Sequence, residues 1–382
     1  MTGREKIRAA FSPKGAPEIA AVICYEGIFN RDHWGQLTQC PWWYQLSPDV
    51  EQQLAWCRDV IRATEQDWFA LPWVYSREER ERVRIEVRPQ GVFRVNRASG
   101  REEMLQEPQV AGWARDGGLH SHRPQRLAET PEEVDALVPL ARDSDPVLPE
   151  GCGDAAAQLK KEFSDKYPIC HVGAPLWRCY GLWGFEGMMT MAATRPELVE
   201  HACARFMEQS RRGARAAAKL GAEGIWIEDC MCDMVSPAAF ERLAAPFLRG
   251  VVDEIRACGM KSIYYYCGNP AGKWELIFSL GADAVSLEES KKGFDIDIED
   301  VVARAHGRCA LLGNLDALVL LERGGERELR KEIARQIEAG RRNAGRFVMS
   351  LGSPVTPRTT VERVRLYGRL VRELGGLRSR KV

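Results

Sequence analysis

The second half of the chain alternates short apolar runs with amphipathic stretches, and this alternation constrains the fold more than any other feature. The runs that predict strands are GIWIEDC (224–230), KSIYYYCG (261–268), ADAVSLEES (282–290), CALLGNLDA (309–317) and RFVMSLGSP (346–354). The stretches that follow them predict helices, because apolar residues recur there at three- and four-residue steps. Strands alternating with helices indicate βα units on a parallel sheet. Five units in a row favour a closed (β/α)8 barrel, which needs about 250 residues.

The stretch after the first of these strands carries clear helix signals. Ser236 fits an N-cap, Pro237 the first turn, and Gly259 the C-terminal stop. Pro246 predicts a kink or break in this helix, because proline lacks a backbone donor and clashes with the preceding turn.

The first half of the chain is less regular. PEIAAVICYEG (17–27) and DWFALPWV (67–74) predict the first strands, and YPICHVGAPLWRCYGLWG (167–184) predicts another barrel strand with its loop. Alternation and glycine-type turns within about 75–110 predict a β-hairpin insertion. Residues of about 114–155 are rich in Pro, Asp and Gly, which predicts a surface connection. We therefore expect one barrel domain over residues 1–382.

Composition narrows the class of partner and the compartment. The chain has 54 basic and 54 acidic residues, so its charge gives no indication of nucleic acid or of a membrane surface. Its apolar runs fall short of the roughly 18 residues that span a bilayer, and the charged start MTGREKIRAAF lacks the apolar core of a signal peptide. We expect a cytoplasmic protein, in which the 12 cysteines are free thiols, redox groups or metal ligands rather than a disulfide framework.

An ordered set of segments resembles the uroporphyrinogen decarboxylase superfamily over nearly the whole chain. The segments are REKIRAAF, VFRVNRASGREEMLQEP, VSPAAFERLAAPFLRGVVDEIRACG, YYCGNP, GADAVSLEES, LLGNLDA and SLGSPVTPRTTVERVR. The resemblance implies a (β/α)8 barrel with one of two chemistries. One is the cofactor-free decarboxylation of the acetate arms of a tetrapyrrole, and the other is zinc-assisted methyl transfer to or from a corrinoid.

The motifs of the two branches separate these chemistries. Decarboxylases of the family carry an Arg-rich N-terminal segment and an Asp in FSDIL after the second strand; here residues 24–34 hold one arginine, Arg31, and Asp67 lies one turn of sequence early. Methyltransferases carry His-x-Cys-Gly-Asn and a later Cys; here Cys267 matches, but Tyr265 replaces the His and Ser353 the later Cys. The resemblance thus implies a corrinoid (cobalamin)-dependent methyltransferase or demethylase whose usual zinc set is incomplete.

The ends of the barrel strands supply the candidate site residues, because functional groups gather at the C-terminal rim. Zinc accepts thiolate, imidazole and carboxylate ligands, so we expect Cys267, Glu228 and one of Cys230 or Cys232 to bind it. Tyr265 is a poor zinc ligand because its pKa is near 10; we expect it to hydrogen-bond substrate or a ligand carboxylate, and to be catalytic with Glu228 and Cys267. The predicted substrate-binding residues are Glu26, Trp177, Tyr180, Glu289 and Asn314.

Simpler roles stand beside these. Cys267 fits a small residue at a tight turn, and His171 fits a core histidine as well as a ligand. One acid of each pair, Glu228–Asp229 and Glu288–Glu289, is expected to face the barrel axis, because neighbouring strand residues point to opposite sides. Asn269 and Asn314 are expected to support loops through hydrogen bonds to the backbone.

The chain lacks the corrinoid-binding signature Asp-x-His-x-x-Gly, so the corrinoid is expected as a free molecule or on a separate partner protein. The other expected partner is a small methylated substrate, and a homodimer is among the open oligomeric states. Two alternatives stay open. One is a metal-free decarboxylase of a tetrapyrrole-type substrate with Asp229 or Glu228 as acid–base group, and the other is a non-catalytic corrinoid or tetrapyrrole carrier.

Overall fold

The structure is a computed structural model that describes residues 1–111, 124, 127–289 and 293–376. Its strands are β1 (Ala20–Ala21), β2 (Trp68–Ala70), β3 (Val83–Arg88), β4 (Gly91–Asn96), β5 (Glu102–Leu105), β6 (Tyr167–Gly173), β7 (Gly224–Asp229), β8 (Lys261–Tyr266), β9 (Ala284–Leu287), β10 (Ala310–Leu312) and β11 (Phe347–Met349). Eight of them form one sheet in the order β1-β11-β10-β9-β8-β7-β6-β2, with every pairing parallel. The predicted (β/α)8 architecture is confirmed.

Helices surround this sheet. They are α1 (Gly3–Ala10), α2 (Glu26–Asp32), α3 (Trp34–Leu37), α4 (Val50–Thr64), α5 (Arg77–Arg82), α6 (Pro131–Leu137), α7 (Asp154–Glu162), α8 (Pro175–Thr194), α9 (Pro196–Leu220), α10 (Pro237–Leu243), α11 (Ala245–Ala257), α12 (Trp274–Phe278), α13 (Ile298–Ala305), α14 (Glu326–Arg342) and α15 (Val361–Gly375). Short 3₁₀ helices at Trp42–Leu46 and Cys232–Met234 and a π-helix at Ala317–Glu322 lie between them. Within the described part of the chain, no helix combines the length and the apolar character needed to cross a bilayer.

The helix signals of the sequence hold in detail. The Ser236 hydroxyl accepts a hydrogen bond from the backbone of Ala239, at 3.1 Å, and caps α10. The predicted break near Pro246 falls between α10 and α11. Gly259 follows the end of α11 with a positive φ of 75°, a conformation that glycine adopts without steric cost.

The predicted hairpin insertion has one strand more than expected. β3, β4 and β5 form a three-stranded antiparallel sheet, in which Val83 pairs with Asn96 and Val92 pairs with Leu105. Part of the predicted surface connection, residues 114–123 and 125–126, lies outside the described residues.

The strand register assigns each side chain of the sheet to one of its two faces. His171 pairs with Trp226, and Glu228 pairs with Tyr265. Residues two apart share a face, and the Trp226 and Tyr265 rings stack with centroids 5.0 Å apart. These four side chains therefore lie on the inner face of the barrel. Asp229, Tyr264 and Tyr266 lie on the opposite face, where Tyr266 meets Phe240 of α10.

Candidate active site

Three aromatic rings at the carboxyl ends of the strands form a wall, which we call the aromatic wall: Tyr25, Trp226 and Tyr265. Tyr25 meets Tyr265 edge-on at 5.1 Å, and Tyr265 stacks on Trp226. Tyr265 is fully buried, and its hydroxyl donates to the backbone oxygen of Gly352 at 3.1 Å. The expectation that this hydroxyl binds substrate or a ligand carboxylate stays a prediction, and in the structure its acceptor is the backbone of the loop after β11.

Tyr25 owes its position to an uncommon backbone conformation. It has φ 56° and ψ 47°, in the left-handed region that non-glycine residues seldom adopt, at the N-cap of α2. Such strain persists where the surrounding structure holds it, commonly at functional sites. The turn places the Tyr25 hydroxyl 3.3 Å from the sulfur of Cys230.

Two thiols of the inner rim each lie beside a carboxyl group. Cys267 donates to Glu288 Oε1 at 3.3 Å, and the sulfur of Cys230 lies 3.9 Å from Glu228 Oε1. Burial raises the pKa of Glu228 to about 7. Glu228 therefore exists in both protonation states at neutral pH and can give or take a proton there.

Cys232 and Asp229 form a separate network on the helix side of the sheet. Asp229 accepts from the Cys232 thiol at 2.7 Å and from the Tyr264 hydroxyl at 2.6 Å. Burial raises the pKa of Asp229 to about 6. Cys232 thus contacts Asp229 on the opposite face of the sheet from Glu228, rather than joining Glu228 and Cys267 as predicted. Asp229 itself is fully buried.

The predicted zinc set is not assembled. Within the residues that the structure describes, no three His, Cys, Asp or Glu side chains are grouped so as to hold a metal ion. The rim donors are arranged as two thiol–carboxyl pairs, whereas a zinc site needs at least three protein ligands around one point. As placed, these residues do not fit zinc.

Both acids after β9 point inward, which corrects the expectation that only one would. Glu288 meets Cys267, and Glu289 Oε1 accepts from the Ser353 hydroxyl at 2.7 Å. β9 ends at Leu287, so the alternation of a strand no longer applies to the two acids. Gly352 makes room for them, since a Cβ there would stand 2.5 Å from the Glu289 backbone nitrogen.

Three of the predicted substrate-binding residues make contacts within the protein. Asn314 donates to the backbone oxygens of Glu288 (3.0 Å) and Ile296 (2.7 Å), which confirms its expected role in supporting loops. The Tyr180 hydroxyl donates to the backbone oxygen of Met231 at 3.1 Å and holds the loop after β7. Trp177 is partly buried and packs against the core.

Glu26 borders a cavity of about 230 Å³ between β2, α2 and α4. Its Oε2 lies 3.6 Å from His171 Nε2 on the inner face of the sheet. Burial raises the pKa of Glu26 to about 7, and desolvation lowers the pKa of His171 to about 4. His171 is therefore neutral at pH 7 and does not offset the charge of the Glu26 carboxylate.

Comparison with known proteins identifies the family. The model of the family "Uroporphyrinogen decarboxylase (URO-D)" matches residues 109–374. The chain belongs to the URO-D family.

Curated relatives bear the family's name. A uroporphyrinogen decarboxylase of Anaeromyxobacter sp. (strain Fw109-5) is 30% identical over 266 residues, which cover 65% of this chain and 69% of the relative. A uroporphyrinogen decarboxylase of Prochlorococcus marinus (strain MIT 9313) is 25% identical over 253 residues, which cover 64% of this chain and 68% of the relative.

A solved structure resembles this URO-D family member over nearly its whole length. It is described as a methyltransferase from Methanosarcina mazei and superposes with a TM-score of 0.65 at 16% identity, covering 98% of this chain and 99% of the other. At this identity the likeness establishes the shared barrel fold.

Sequence reasoning missed two members of the aromatic wall. Trp226 precedes Glu228 by two residues in the same strand, so the period of two already placed it on the same face. Tyr25 directly follows the first predicted strand, next to Glu26. Its left-handed backbone had no signal, because tyrosine has no preference for that conformation.

Proposed function

We propose that this URO-D family member is a methyltransferase that moves a methyl group between a small substrate and a corrinoid. The observation that carries the proposal is the chemistry of the rim. The rim contacts described above join thiols, acids and aromatic rings, from Tyr25, Glu26, Glu228, Cys230, Cys267, Glu288 and Glu289. None of these is Arg or Lys, whereas a tetrapyrrole with several acetate arms calls for guanidinium groups that bind carboxylates.

Arg31 and Asp67 do not supply the substrate-binding arginine and the aspartate of the decarboxylase branch. Arg31 lies 2.7 Å from Asp32 in an ion pair. Asp67 accepts from the backbone of Ala21 at 2.6 Å and lies 3.6 Å from Lys6. Both side chains are thus occupied by contacts within the protein.

Glu228 is the proposed acid–base group of the reaction. When a methyl group leaves a sulfur, oxygen or nitrogen atom, that atom keeps the electron pair of the broken bond and can take up a proton. In the reverse direction, an incoming thiol or amine gives up a proton as the new bond forms. A carboxyl group with a pKa of about 7 serves both directions at neutral pH.

The aromatic side chains fit a corrinoid delivered to the rim, either free or on a partner protein. Tyr25 and Trp177 are partly exposed and offer flat apolar surface to a macrocycle. The corrinoid, when bound, would supply the cobalt centre that accepts or releases the methyl group. The chain's own residues would bind the small substrate, exclude water and move the proton.

The test is methyl transfer to reduced cobalamin. The full-length protein is mixed with cob(I)alamin and with methylamines, methyl thiols or aromatic methyl ethers in turn, and methylcobalamin is followed by its absorption spectrum. Glu228→Gln should lower the rate about 10²- to 10⁴-fold. Glu241→Gln, an exposed acid on α10, should leave the rate unchanged. A lack of transfer from every donor would contradict the proposal.

The names of the curated relatives support a second candidate, decarboxylation of a tetrapyrrole. Incubation of the protein with a uroporphyrinogen, without added corrinoid, distinguishes the two functions. Release of CO₂ at a catalytic rate would establish the decarboxylase, and we expect none above the uncatalysed background.

A further inference from the structure

The cavity beside Glu26 has a wall of tryptophan rings and two unused acceptors. The rings belong to Trp56, Trp68 and Trp73. The Trp56 indole N–H donates to Gln53 at 3.1 Å, and the Trp68 indole N–H donates to Gln66 at 3.1 Å. With these polar atoms already engaged, Trp56 and Trp68 offer the cavity mainly apolar ring surface.

Three other polar side chains of the lining have hydrogen-bond partners within the protein. Gln53 donates to the backbone oxygens of Gln45 and Ser47, and Gln66 Oε1 accepts from the backbone of Ile23. The Thr64 hydroxyl donates to the backbone of Val60. These side chains build the cavity and have little capacity left for a ligand.

Two oxygen atoms of α2 are the exception. Glu26 Oε1 and Asn30 Oδ1 are buried without a hydrogen-bond partner, and both residues line the cavity. Glu26 is only 8% exposed. The residues are four apart on one helix, so their side chains lie on the same face. A buried acceptor without a partner is costly, which indicates that a ligand with hydrogen-bond donors belongs here.

The charge and size of the cavity narrow the ligand further. Among the described residues that line it, Glu26 is the one acid, and none is Arg, Lys or His. A volume of about 230 Å³ is below the 300–1,000 Å³ typical of pockets for drug-sized ligands, so it admits a molecule of a few heavy atoms and excludes a macrocycle. Tryptophan faces attract cations, most strongly where water is excluded.

We propose that this cavity binds a small protonated methylated amine, with its N–H group donating to Glu26 and Asn30 and its methyl groups packed against Trp56 and Trp68. This inference rests on the proposed methyltransferase function and names the substrate class. Glu26 also lies beside His171 of the inner face, so the amine would stand at the edge of the barrel mouth.

Binding is measured by tryptophan fluorescence and by calorimetry, with trimethylammonium and tert-butanol as probes; tert-butanol is neutral, slightly larger, and carries the same three methyl groups and one hydrogen-bond donor. Trimethylammonium should bind saturably, and tert-butanol at least about tenfold more weakly, because tert-butanol lacks the positive charge. Equal affinities would overturn the proposal. This comparison uses the unmodified protein and does not depend on any variant folding.

Glu26→Gln is the decisive variant, since it keeps the shape and removes the charge. It should weaken trimethylammonium binding at least about tenfold. Glu51→Gln, an exposed acid on α4 outside the cavity, should bind as the unmodified protein does. Unchanged affinity in Glu26→Gln would overturn the assignment. The titration contains no corrinoid and no methyl transfer, so its failure is separate from a failure of the proposed reaction.

Discussion

At the scale of single residues, burial sets the protonation chemistry of the rim. Burial raises the pKa of Glu26 and Glu228 to about 7 from an ordinary value of 4.5. Between these two pH values the folded protein binds more protons than the unfolded chain. The free energy of unfolding that these acids contribute is therefore complete below pH 4.5 and is lost as pH rises through 7.

Glu26→Gln should reduce this loss of stability. The titratable groups near Glu26 include His171 of β6, Cys24 just before α2 and, across the cavity, Cys57 of α4. Between pH 5 and pH 8 the unmodified protein should lose up to about 3 kcal/mol more than the variant in free energy of unfolding. Urea denaturation at several pH values measures the difference. Parallel pH profiles would contradict the burial of an ionisable Glu26, and Glu51→Gln should follow the unmodified protein.

Tyr265→Phe separates a structural hydroxyl from a catalytic one. The variant keeps the stack on Trp226 and loses the hydrogen bond to Gly352. We expect a loss of about 1 kcal/mol in free energy of unfolding, with methyl transfer within a few-fold of the unmodified rate. A loss of activity beyond about a hundredfold at unchanged stability would restore the catalytic role first expected for Tyr265.

At the scale of elements, the direction of side chains inside a strand was predictable from the sequence, and the direction of those just past a strand end was not. Alternation correctly separates Glu228 from Asp229, because both lie inside β7. It fails for Glu288 and Glu289, which lie just past the end of β9. Their inward direction depends on contacts with Cys267 and Ser353, which lie in the loops after β8 and β11 and leave no signal in the local sequence.

Gly352→Ala should destabilise the protein. The added Cβ would press on the backbone of Glu289, and this overlap should lower the free energy of unfolding by about 1–3 kcal/mol. Gly27→Ala on α2 is the matched control, because a Cβ at Gly27 meets nothing within 4 Å; alanine should stabilise that helix by about 0.5–1 kcal/mol. Thermal unfolding of both variants measures the contrast. Equal melting temperatures would contradict the close approach of the two loops.

At the scale of the whole molecule, one backbone and two side-chain hydrogen bonds join the two ends of the sheet. β1 has two residues, and its junction with β2 rests on Asp67 and Gln66. The backbone N–H of Asp67 donates to Ala21 O at 3.0 Å, and the Asp67 carboxylate accepts from the Ala21 N–H. Gln66 Oε1 accepts from the Ile23 N–H at 2.7 Å. Five βα units in the sequence predicted a closed barrel, but its closing contacts could not be predicted, because they join residues more than forty positions apart.

Asp67→Asn tests how much of the barrel's stability depends on this junction. Asp67 lies 3.6 Å from the Lys6 ammonium of α1, and both side chains are about nine-tenths buried. Asparagine can still accept from Ala21, but it leaves a buried cation without its counter-charge, which typically costs about 3–5 kcal/mol. Adding Lys6→Met to Asp67→Asn should recover most of that loss, and a double-mutant cycle measures the coupling.

Hydrogen exchange should speed up first at the amides of Ala21 and Ile23, since these two donate across the junction. Additive effects of the two substitutions, with protection of both amides unchanged, would mean that the barrel closes by other contacts.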